Sequence, residues 1–145
     1  MVRPRNRHER RVPDAGYWIA LLNPRDQLHT KAITVSNTLQ GCPVVTSQMV
    51  LTEFLNYYAA LGQPFRQRAV QVVRSLQDDP DVEIVPQTEA QFTAAFTLYA
   101  QRPDKEWGVT DCASFLVMQE RGSTEALAHD DHCYQAGFIP LLRDR

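Results

Sequence analysis

Apolar residues recur along this chain in two rhythms, and each change of rhythm marks a change of element. A short apolar run at 17–22 closes at Asn23-Pro24 and predicts a short helix. From Asp26 to Leu39, the residues Leu28, Ala32, Val35 and Leu39 are spaced by four, three and four, so they share one helical face, and Gly41 follows as a terminator. Pro43 to Thr46 is short and β-branched, as a buried strand is. Ser47 then stands as a helix cap before Val50, Leu51, Phe54, Leu55 and Tyr58, which form an amphipathic stripe.

The second half continues the alternation. Ala69, Val72, Val73 and Leu76 make the inner face of a helix over 65–76, and Asp78-Asp79-Pro80 breaks it. Val82 to Pro86 reads as a strand, Glu89 to Ala100 as a helix after Thr88, and Arg102-Pro103-Asp104 as a turn. Thr110 is positioned to cap a helix that runs to Arg121 and stops at Gly122. Strands follow at 124–128 and 138–141, with a helical turn between, and a very short strand is expected at Arg11 to Asp14. Short strands alternating with helices imply parallel crossover units. The expected class is α/β: one central parallel sheet of four or five short strands, covered by helices on both faces. In such sheets ligands collect beyond the carboxyl ends of the strands.

Length and composition narrow the picture. With 145 residues, 43% hydrophobic and 22% charged, the chain has the makings of one soluble domain. No apolar run approaches the roughly 20 residues that span a bilayer, so a cytoplasmic protein with no membrane partner is expected. Cys42, Cys112 and Cys133 are odd in number and widely spaced, which fits reduced, buried thiols better than a disulfide framework or, with His129 and His132, a zinc site. Charge is uneven: Arg3, Arg5, Arg7, Arg10 and Arg11 face only Glu9 near the amino terminus, while the whole chain is at −2. Residues 1–11 are therefore expected to form a basic, disordered arm, and residues 12–145 the folded domain.

Four acids fall where that architecture collects ligands. Asp14 closes the first strand, Asp130 follows the 124–128 strand, Asp111 opens a helix, and Glu53 flanks the buried stripe of the helix that leaves the second strand. Carboxylates brought together repel one another and raise their own pKa values unless a cation shares the site. Hard oxygen donors without paired cysteines suit Mg²⁺ or Mn²⁺.

The local sequences around these acids resemble the VapC branch of the PIN-domain family. Asp14-Ala15-Gly16-Tyr17-Trp18 resembles its opening segment, 46–56 with Glu53 its second motif, Trp107-Gly108-Val109-Thr110-Asp111 its third, and 126–138 with Asp130 its fourth, in order over about residues 12 to 140. The resemblance implies a PIN-like nuclease domain that hydrolyses RNA phosphodiester bonds with Mg²⁺ or Mn²⁺. It also implies a toxin of a toxin-antitoxin pair, often a homodimer, held by a small antitoxin protein. Asp14, Glu53, Asp111 and Asp130 would be the catalytic and metal-holding residues, with Thr110 auxiliary.

The pattern also departs from the family. Ala15 stands where a hydroxyl residue is usual, Pro13 interrupts the first strand, arginines replace the apolar residues before it, and Asp131, expected to be exposed, replaces a basic residue. These departures keep open a catalytically impaired PIN-fold protein that only binds RNA or protein. A phosphatase with an aspartyl nucleophile at Asp14 is disfavoured, because the second aspartate it needs two positions later is Gly16.

Overall fold

Nearly every predicted element is present in the computed structural model, which describes residues 6–143. In chain order they are β1 (Val12–Pro13), α1 (Ala15–Leu22), α2 (His29–Thr38), β2 (Val44–Ser47), α3 (Gln48–Ala59), α4 (Gln63–Asp78), β3 (Val82–Val85), α5 (Glu89–Gln101), α6 (Val109–Arg121), β4 (Glu125–Leu127), α7 (Asp131–Gln135) and β5 (Ile139–Pro140). Every strand pairing is parallel: β2 with β3, and β1 with β4, which in turn pairs with β5. Among the described residues a single bridge, Arg11 to Val44, joins the two ladders and gives the order β3-β2-β1-β4-β5.

Pro13 accounts for the thin join. Arg11 N–H donates to the Pro43 carbonyl at 3.1 Å and its own carbonyl accepts from Val45 N–H at 3.0 Å, so odd-numbered residues of this segment face β2. The next N–H on that side would be residue 13's, and proline has none. Asp14 N–H donates the other way, to Leu127 at 3.1 Å. The strand is central, and the ladder to β2 stops after one residue.

Strand alternation sorts the core onto two faces. Val44, Ile84 and Leu127 pack with Trp18, Phe54 and Tyr58 beneath α1 to α4. Val12, Val45, Ala126 and Ala128 pack with Cys112, Phe115 and Met118 of α6 on the other side. Side-chain caps begin α1, α3 and α5 at Asp14, Ser47 and Thr88, each accepting from the backbone three residues on. Gly122, at φ 65°, closes α6 in the left-handed conformation that glycine adopts without strain.

Several expectations are corrected. Thr110 does not cap α6: Gly108 is the cap residue and Thr110 lies within the first turn. Asp26 does not begin α2 but accepts from Leu28 N–H at 2.8 Å in the turn before it, and Leu55 is exposed. Arg11 belongs to the interior and not to an arm: its guanidinium is fully buried, bonded to Glu125 at 2.6 Å and to the Glu9 carbonyl at 2.7 Å. Glu9 in turn accepts from Thr124 Oγ1 at 2.6 Å and Glu125 N–H at 3.1 Å, and Arg7 reaches the Gln40 carbonyl at 2.7 Å. The remainder of the expected arm, residues 1–5, lies outside the described residues. Among the described residues no helix is long and apolar enough to cross a membrane.

Candidate metal centre

Three helix starts converge at the carboxyl edge of the sheet, and an aspartate sits at each. Asp14 follows β1 and caps α1, its Oδ1 accepting from Tyr17 N–H at 2.8 Å. Asp130 follows β4 and caps α7, its Oδ1 accepting from His132 N–H at 3.1 Å. Asp111 is the third residue of α6, and its Oδ2 accepts from Gly108 N–H at 2.9 Å. Each carboxylate thus accepts from an amide at a helix start, which fixes its direction; Asp14 and Asp130 commit Oδ1 and leave Oδ2 for a ligand, whereas in Asp111 the same Oδ2 meets both the Gly108 amide and the His132 ring. Because β1 and β4 are neighbours reached by crossovers of opposite direction, Asp14 and Asp130 flank the point where strand order reverses.

The electrostatics follow from this crowding. Burial pushes the Asp14 carboxyl up to about 7, and the negative charges of Asp130, Asp111 and Glu53 push it in the same direction against the Tyr17 hydrogen bond. The three other predicted acids therefore all act on Asp14. Asp111 is also raised, first by burial and partly by Asp130, with the Gly108 hydrogen bond and His132 opposing. Glu53 is exposed on the second turn of α3 and contributes from the rim. A cavity of about 20 Å³, room for roughly one water, is lined by Asp14, Asp111 and Asp130 together with Ser114, Phe115 and Cys133. A Cβ on Gly16 would stand 3.3 Å from Asp14 Oδ1, tighter than ordinary contact, so the glycine leaves room for the oxygen that caps α1.

His132 is the site residue that reasoning from the sequence missed as part of this cluster. Its Nδ1 lies 3.1 Å from Asp111 Oδ2 and 3.7 Å from Asp130 Oδ2, and one donor atom from each of the three residues falls within 4.8 Å of the others. The signal was present in the spacing: two residues after a helix-capping aspartate, a side chain in the first turn turns back toward the cap. Ser114 was likewise legible, one turn beyond Asp111 on α6. Thr110 is half-buried beside Asp111. Asp131 points away to an ion pair with Arg143.

The donor set fits a hard divalent cation. Two half-buried aspartates with raised pKa values, a third whose Oδ2 lies 3.7 Å from the His132 ring nitrogen, and a glutamate at the rim present oxygen atoms whose mutual repulsion a cation would relieve. The cysteines do not compete for this role. All three are buried and unpaired, and burial, reinforced by Asp130 and Asp14, pushes the Cys133 thiol up to about 12, so it stays protonated.

Comparison with known proteins now identifies the architecture. The PIN domain family matches residues 11–139. The chain belongs to the PIN-domain family. Among solved structures, this PIN domain is similar to the Mycobacterium tuberculosis toxin VapC20, described as a sarcin-ricin loop cleaving toxin, with a TM-score of 0.76 and 24% identity over 88% of this chain and 95% of that one. At that identity the likeness speaks for the fold. No curated protein matches the sequence.

Proposed function

We propose that this PIN domain is a metal-dependent endoribonuclease of the VapC type, a cytoplasmic toxin restrained by a small antitoxin protein and acting as a homodimer. The observation that carries the reading is the convergence of Asp14, Asp111, Asp130 and Glu53 on one edge of the sheet, where burial first, and then the charges of the three other acids, raise the Asp14 carboxyl to about 7. An acid cluster of this kind destabilises the metal-free protein and is retained for what it binds.

Asp14 and Asp111 would hold the main ion, with Asp130 and Glu53 completing its shell directly or through water. When bound, Mg²⁺ or Mn²⁺ would supply a water of lowered pKa and positive charge to offset the negative charge on the phosphate oxygens. The chain's own contribution is positioning: the Tyr17, Gly108 and His132 amides hold three carboxylates in fixed directions, so no reorganisation is needed when the phosphate arrives. Thr110, next to Asp111 in the first turn of α6, would orient water or phosphate through its hydroxyl. An unpaired or looped RNA strand is the substrate that bends into such a cleft.

The test is cleavage of RNA by purified protein with Mg²⁺ or Mn²⁺, with EDTA as control and a sarcin-ricin loop oligonucleotide among the substrates, since that is the target named for VapC20. Asp14→Ala and Asp111→Ala should each reduce cleavage by at least about a hundredfold while melting, without metal, at or above the parent's temperature. Cleavage that survives EDTA, or both substitutions, would refute the assignment.

A further inference from the structure

The imidazole of His132 has a place in the site that the four acids alone do not explain. Its backbone N–H is the donor that fixes Asp130, and its ring nitrogen stands between Asp111 and Asp130. On an octahedral ion with ligands at about 2.1 Å, adjacent donor atoms lie about 3.0 Å apart. The 3.1 Å separation of His132 Nδ1 and Asp111 Oδ2 is that of two neighbouring corners, and the 3.7 Å to Asp130 Oδ2 is within reach of a modest side-chain rotation.

We infer that His132 supplies a nitrogen ligand to the divalent ion, making the site a mixed carboxylate-imidazole centre that prefers Mn²⁺ over Mg²⁺. This rests on the metal-dependent reading above. An imidazole adds little to the binding of Mg²⁺, which favours oxygen and keeps its waters, whereas later first-row ions gain from nitrogen donors. The hydrogen bond between ring and Asp111 in the metal-free protein is then replaced by two bonds to one ion. The ring is already directed toward the site, because His132 lies in the first turn of α7, whose cap Asp130 is one of the proposed ligands.

The alternative role for His132 is positioning only, holding Asp111 by a hydrogen bond from outside the shell. Two measurements separate the roles. Calorimetric titration with MnCl₂ and MgCl₂ should show Mn²⁺ binding weakened at least about tenfold in His132→Ala and Mg²⁺ binding changed by less than about threefold. Pulsed electron paramagnetic resonance of the Mn²⁺-loaded parent should show nitrogen coupling that is absent in His132→Asn, a variant able to keep a hydrogen bond to Asp111. Equal loss for both ions, or no nitrogen coupling in a parent that binds Mn²⁺, overturns the ligand role and leaves the acid site standing. A parent that binds neither ion overturns both readings.

Discussion

Asp14 serves two ends at once: it caps a helix as a charged acceptor, yet it sits where burial and three acids disfavour its charge. Its carboxyl titrates near 7 in the fold against an ordinary value of 3.8. Between those values the folded protein holds a proton that the unfolded chain has released, so stability falls as pH rises. In EDTA, the protein is expected to be most stable below about pH 4 as far as this group is concerned, and to lose that stability as pH passes through about 7. Asp14→Asn should flatten the dependence, and adding Mn²⁺ at pH 8 should restore what was lost. Thermal melts at pH 5 and pH 8 read this directly; an unchanged slope in Asp14→Asn would mean that other groups carry it. The residue scale was also where the sequence was least explicit. The acids could be listed from their motifs, but that Asp14 and Asp130 each cap a helix while Asp111 accepts from the cap residue Gly108, and that the three line one cavity, depends on how segments far apart in the chain are brought together, which spacing along the sequence does not supply.

At the scale of elements, helical and strand periodicities were readable because each amphipathic stretch is buried on one side only. What the pattern hid is the amino-terminal segment. An arginine run reads as solvated, and the partner that changes this for Arg11 is Glu125, 114 residues away. That pair sits at the junction of the sheet: among the described residues Arg11 carries the sole bridge between the two ladders, and Glu125 opens β4 beside it. Glu9 reinforces the junction; hydrogen bonds from Thr124 and Glu125, with the charge of Arg11, outweigh its desolvation and hold its carboxyl below the usual range. Glu125→Ala would leave the guanidinium buried without its carboxylate, and a loss of about 3–5 kcal/mol is expected. Urea unfolding measures it. A loss under about 1 kcal/mol would show that the pair behaves as a surface bridge. The misplaced cap of α6 has a similar origin: threonine is the better cap by preference, but Asp111 accepting from Gly108 N–H sets the helix start two residues earlier.

At the scale of the whole molecule, the apolar surface is distributed in a way that a monomer does not require. Phe92, Phe96 and Tyr99 on α5 are spaced by four and three, so they share one face, and each is about half exposed, at 46%, 55% and 51%. On the α3–α4 hairpin, Tyr57 and Leu61 are similarly open beside Phe65, which stacks on Tyr58. These are two separate patches, and the proposed assembly has two partners, a second copy and an antitoxin. A stable interface needs about 800 Å² from each side, whereas three half-exposed aromatics supply roughly 300 Å²; the α5 stripe would therefore be the centre of a contact whose margin comes from neighbouring residues. Placing a charge at that centre should be decisive, because an unpaired carboxylate cannot be buried there. Phe96→Glu is expected to convert a dimer to a monomer by sedimentation velocity and to leave Mn²⁺ binding intact, since the proposed metal centre draws all its acids from one chain. Leu61→Glu should leave the dimer unchanged and abolish capture of the co-expressed antitoxin. If Phe96→Glu sediments as the parent does, the α5 face is not the dimer contact; if the parent itself is monomeric at tens of micromolar, the stripe serves some other partner, and the two-patch assembly falls.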